Sequence, residues 1–143
     1  MKRAFRTLLS LTLFLALTAG ACSGKCDEWQ QGGGKTLKYQ DSTGNNLVFG
    51  PMAIYYPDSI FIETATGERS LIGSNPTQGT LNISLNNSNS RFLIFLPNNV
   101  VDTLDLDLYE EKSEDCCGYY WASNGARLNG VSIPNSNPIA IIR

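Results

Sequence analysis

The 143-residue chain contains no histidine. This removes the commonest general base and the commonest metal ligand at neutral pH. A nucleophilic triad would then need a lysine base, and neither a Ser-x-x-Lys nor a Gly-x-Ser-x-Gly element is present. Basic charge is also scarce and, beyond Lys2, Arg3 and Arg6, never clustered, which argues against nucleic acid and against electrostatic attachment to anionic lipid. Long apolar runs are lacking too. The longest, Leu8 to Ala19, is interrupted by Ser10, Thr12 and Thr18 and falls short of the ~20 residues that span a bilayer core. No segment holds a helical period for three turns, and no internal repeat or second domain is visible.

What the N-terminus does contain is an export signal. Lys2, Arg3 and Arg6 precede the apolar run, and the small residues Ala19, Gly20 and Ala21 follow it. The segment LTAGAC resembles the lipobox of bacterial lipoproteins, with Ala19 standing where leucine is commonest. The resemblance implies cleavage before Cys22 and acylation of that cysteine. Each buried CH₂ contributes ~0.8 kcal/mol, so a diacylglyceryl group plus an N-acyl chain anchors a protein stably. The expected organisation is a signal peptide over 1–21, a lipidated flexible tether over 22–34 ending in three glycines, and one β-sandwich domain over 35–143. The processed chain carries eight basic and thirteen acidic residues, a formal charge of −5.

Beyond the tether, short apolar stretches alternate with turn chemistry. Strands are expected at 35–40, 47–49, 53–56, 59–64, 69–72, 80–85, 91–96, 102–109, 117–122, 126–133 and 138–142. Thr-Gly, Asn-Asn-Ser-Asn, Pro-Asn-Asn and Asn-Gly punctuate them. Leu81, Ile83 and Leu85 alternate with polar residues, as do Leu104, Leu106 and Leu108. Phe92 to Leu96 is continuously apolar, the pattern of a strand covered on both faces. Such spacing without helix predicts an all-β, antiparallel sandwich of the immunoglobulin-like or transthyretin-like kind.

Residues LVFGPMAIYYPDSIFI, DTLDLDLY and CCGYY, followed by RLNGVSI, resemble small Bacteroidota-type cell-envelope lipoproteins. The resemblance covers most of residues 22–133 and implies a β-sandwich on the cell envelope, with no particular activity. It places a cysteine directly before Gly118. Once Cys22 is acylated, three thiols remain in an oxidising compartment. Adjacent Cα atoms lie ~3.8 Å apart whereas disulfides prefer about 4.4–6.8 Å, which disfavours a Cys116–Cys117 bridge. Cys117 shares a strand face with Tyr119 and Trp121. The expected bridge is therefore Cys26–Cys117, with Cys116 left over.

Several clusters invite a function. Asp102, Asp105, Asp107, Glu110, Glu111, Glu114 and Asp115 form an acidic stretch, but no calcium-loop spacing is present, and a solvated strand face with an acidic turn is the expectation. Tyr119, Tyr120 and Trp121, with Tyr55 and Tyr56, offer aromatic faces for sugar rings, set against burial of part of the cluster in the core. Ser42, Ser59 and Thr103 follow Asp in triplets resembling an Asp-Ser/Thr-apolar O-glycosylation sequon, although such pairs also open strands. No catalytic, metal or cofactor site is expected. The expected role is an outer-membrane lipoprotein, periplasmic or surface-exposed, whose domain is a non-catalytic binding or structural module for a protein or glycan partner. A glycan-binding accessory lipoprotein using the Tyr and Trp residues is the alternative.

Overall fold

Alternating apolar residues can bury one face of a strand, and two such sheets must then cover each other. The computed structural model describes residues 33–86, 89–112 and 118–143 and shows this arrangement, a β-sandwich. Sheet 1 has the order β10-β1-β5-β4, from β1 (Gly34–Gln40), β4 (Gly73–Asn75), β5 (Thr80–Ser84) and β10 (Ile139–Ile142). Sheet 2 has the order β3-β2-β6-β7-β8-β9, from β2 (Phe61–Thr64), β3 (Arg69–Leu71), β6 (Arg91–Leu96), β7 (Val100–Lys112), β8 (Tyr119–Leu128) and β9 (Val131–Ile133). All pairings are antiparallel except β1 with β10. Cys22, Cys26, Cys116 and Cys117, with the expected lipidation and disulfide, lie outside the described residues, as do the signal peptide and most of the tether. Among the described residues no helix is long and apolar enough to cross a membrane.

The core follows the alternation. Leu81, Ile83 and Leu85 from sheet 1 meet Ile62, Phe92, Ile94, Leu104 and Leu106 from sheet 2, all buried. Two expected strands are absent. Residues 47–49 and 53–56 run as bends and turns, because Asn46 Oδ1 accepts the amides of Val48 and Phe49 at 2.9 and 3.0 Å. Ile54 and Tyr55 donate to the Leu47 carbonyl. This local side-chain capping outcompetes a sheet ladder, yet Leu47 and Val48 still plug the core. Strand β8 runs unbroken through the expected gap at 123–125, absorbing Asn124 where the register shifts beside Asp107 and Leu108. It ends at Asn129-Gly130, whose positive φ values of 51° and 81° suit a tight hairpin.

A buried polar clamp joins the sheets. Asp102 on β7 belongs by sequence to the acidic stretch, yet it faces inward and is fully buried, which corrects the expectation of a solvated face at that position. Tyr39 on β1 donates its hydroxyl to Asp102 Oδ2 at 3.0 Å, and Asn129 Nδ2 donates to Oδ1 at 2.8 Å. The Arg143 guanidinium also pairs with Oδ1, while its backbone amide holds the Gln40 carbonyl at 2.9 Å. Burial pushes the Tyr39 hydroxyl well above its ordinary pKa, and the adjacent carboxylate adds to this. The Tyr55 ring meets Tyr39 edge-on, with centroids 6.2 Å apart. Gly33 lies against the Trp121 carbonyl so closely that no Cβ fits there, which fixes where the chain enters the domain.

Candidate functional site

The outer face of sheet 2 is organised in cross-strand rows. Leu71, Phe61, Phe95 and Val101 are register partners on four adjacent strands and form one apolar row. Leu71 and Val101 are 54% and 43% exposed. The next row is Arg69, Glu63, Leu93 and Thr103, and the one after is Arg91, Asp105, Arg127 and Ser132. The Arg69 guanidinium stacks over Phe95 at 4.1 Å and over Phe61 at 5.0 Å. This explains the continuous apolar run at 92–96. Among the described residues no second layer covers Leu93 and Phe95, which are half-buried within their own face, Phe95 beneath an arginine.

The acidic stretch is divided by the pleat. Asp105 pairs with Arg91 at 2.6 Å and Asp107 with Arg127 at 3.1 Å, so both outward carboxylates are matched by neighbouring strands. Among the described residues no three Asp, Glu, Cys or His side chains converge as a metal site. Glu114 and Asp115 lie outside the described residues.

The aromatic cluster is divided likewise. Tyr119 and Trp121 share a face with Leu108 and Glu110 through their pairing across β7, and Tyr120 points to the other face. Trp121 packs against the core, while Tyr119 is 65% exposed. The three rings therefore do not form one flat platform. Ser42 sits exposed in the 41–45 loop. There Asp41 accepts bonds from Thr43 and Asn45, which hold its carboxyl at about 2. Ser59 donates its hydroxyl to the Tyr56 carbonyl at 2.7 Å, and Thr103 is half-buried near the start of β7.

One concavity lies between the sheets where β3 and β5 diverge. It has a volume of about 200 Å³. The chain crosses from sheet 2 to sheet 1 at Ile72, whose amide donates to the Ile60 carbonyl at 3.1 Å, so β4 pairs with β5 only as far as Gly73 and Asn82. Ser70, register partner of inward-facing Ile62, points between the sheets into the gap. Asn89 lines it as well, 7% exposed, and its Oδ1 has no hydrogen-bond partner among the described residues. Sequence reasoning missed this site because Asn89 reads there as one more turn residue in Asn-Asn-Ser-Asn. Only the crossing of the chain at Ile72 opens the gap beside it.

Comparison of the chain with family models, with curated proteins and with solved structures finds no match.

Proposed function

We propose that this chain is an outer-membrane lipoprotein, held through acylated Cys22, whose β-sandwich is a non-catalytic binding module. The observation that carries the binding role is the solvent-facing row Leu71, Phe61, Phe95 and Val101. Contiguous apolar patches on a soluble domain mark contact surfaces. Arg69 gives this one a polarity, because no ion pair among the described residues engages its guanidinium. The fitting occupant is a protein partner with an apolar surface bearing a carboxylate, which would exchange solvent for Arg69 and the two rings. The anchor reading rests on the order of n-region, apolar run, small residues and cysteine. The Cys26–Cys117 bridge would tie the tether to the β7–β8 hairpin. A glycan platform of Tyr119, Tyr120 and Trp121 draws less support, since those rings are split between two faces.

Two variants test the proposal together. Cys22→Ala should abolish palmitate labelling and release the protein from membranes. Phe95→Ser should leave labelling intact and remove a protein that co-purifies with the wild type. A Cys22→Ala protein that stays wholly membrane-bound refutes the anchor. Recovery of the same co-purifying proteins with Phe95→Ser refutes the binding face.

A further inference from the structure

The geometry points to a binding site for one ring of a neutral saccharide in the gap between β3 and β5. This goes beyond the outer-face reading, resting only on its premise that the domain is a binding module. The first ground is an unmet acceptor. Asn89 lines the gap with its side chain nine-tenths buried, and its Oδ1 has no hydrogen-bond partner among the described residues; a buried polar atom without a partner costs free energy until something donates to it.

The second ground is the chemistry of the walls. Ser70, Asn82 and Ser84 line the gap, and none makes a side-chain hydrogen bond among the described residues. Hydroxyls and carboxamides both donate and accept, which is what a ligand made of hydroxyl groups requires. The backbone adds a further pair of groups. Leu85 donates to the Gly33 carbonyl at 2.7 Å, so odd-numbered β5 residues bond toward β1. The Ser84 N–H and C=O therefore point the other way, beyond the end of the β4 ladder at Gly73 and Asn82. Ile62, Ile83 and Phe92 supply an apolar floor suited to the C–H face of a ring.

Charge and size narrow the class. Among the described residues no cationic side chain lines the gap and the one charged side chain is Glu68, which disfavours anionic ligands. A volume of about 200 Å³ lies below the roughly 300–1,000 Å³ typical of drug-sized ligands and suits a single ring. An added peptide strand fits poorly, because past the end of β5 the Asn89 amide already donates to the Asn86 carbonyl.

Saturation-transfer NMR on the full-length lipoprotein in detergent micelles tests this. The probes are methyl glycosides of glucose, galactose, mannose and N-acetylglucosamine, with inorganic phosphate followed by phosphorus line width. At least one glycoside should show saturable transfer to its ring C–H protons, with Kd on the order of 1 mM. Asn89→Leu should weaken that binding about tenfold or more, as expected when a site's hydrogen-bonding group is lost. Ser70→Ala, at an exposed position, should weaken it measurably and gives a second readout if Asn89→Leu fails to fold. Phe95→Ser should leave it unchanged. The inference is overturned if no glycoside binds, if phosphate binds instead, or if Ser70→Ala binds as well as the wild type. Loss of saccharide binding alone, with Phe95-dependent co-purification retained, refutes this site and leaves the outer-face reading standing.

Discussion

Replacing Tyr39 with phenylalanine removes one hydroxyl from the clamp that joins the sheets. The hydroxyl is buried and donates to Asp102 at 3.0 Å, so its loss strips a charged, fully buried acceptor of one of three partners. Hydrogen bonds to charged groups contribute about 1.5–3 kcal/mol, and Tyr39→Phe should cost about that much. For a domain of this size the melting temperature should fall by about 5–15 °C. The decisive comparison repeats the substitution in an Asp102→Leu background. Asp102→Leu alone should cost about 3 kcal/mol, the low end for breaking a buried pair, because the Arg143 side chain is 31% exposed and stays partly hydrated. In that background the Tyr39 hydroxyl is a buried donor without an acceptor, so Tyr39→Phe should be neutral or stabilising. Urea unfolding followed by circular dichroism measures all four corners of the cycle. An equal cost of Tyr39→Phe in both backgrounds would mean that ring packing, not the bond to Asp102, governs the site.

The same clamp has a pH signature. Because the folded pKa of Tyr39 is raised, its contribution is fully present below the unfolded value of ~10 and is lost as pH rises beyond it. The gap in stability between wild type and Tyr39→Phe should therefore narrow above pH ~10. The lowered pKa of buried Lys35 acts with the opposite sign but is common to both proteins and cancels. The Asp41 loop behaves inversely, since a carboxyl held at about 2 contributes stability above its unfolded value and loses it as pH falls. Asp41→Asn should be less stable than wild type at neutral pH, and the difference should shrink as pH falls below ~4 and vanish only well below pH 2, with the Asp41 carboxyl titrating at about 2 by NMR. A midpoint at the ordinary ~3.9 contradicts the loop geometry. Asn129→Gly keeps the left-handed turn but loses the bond to Asp102 and the one from the Thr103 amide, each at 2.8 Å. It should cost about 2 kcal/mol in chemical denaturation, and no loss would show that Asn129 serves the turn alone.

Much of this fold is legible in the sequence where one residue pattern has one physical meaning. Leu81, Ile83 and Leu85 alternate because sheet 1 is wet on one side, and β6 falls on residues 91–96 as the apolar run marks it. Legibility fails where a side chain acts over distance. Asp102 looks like its neighbours Asp105 and Asp107 until Tyr39, Asn129 and Arg143 arrive from three other parts of the chain. Phe95 reads as doubly buried because nothing local reveals that an arginine, not a second layer, lies over it. Leu47 and Val48 read as strand because burial is apolar in either case, whereas the Asn46 side chain decides the backbone path. Of the candidate sites, the aromatic cluster was visible as composition but not as geometry, and the gap beside Asn89 was not visible at all.

The binding role of the outer face is the central claim, and site-specific photo-crosslinking in the native envelope tests it most directly. A photoreactive residue placed at Leu71 lies within the apolar row, whereas one placed at Thr66 lies in the exposed turn between β2 and β3. The account predicts a discrete crosslinked protein band from Leu71 that is absent from Thr66 and disappears when Arg69→Glu is added. Equal crosslinking from both positions, or none from Leu71 in anchored protein, would contradict it.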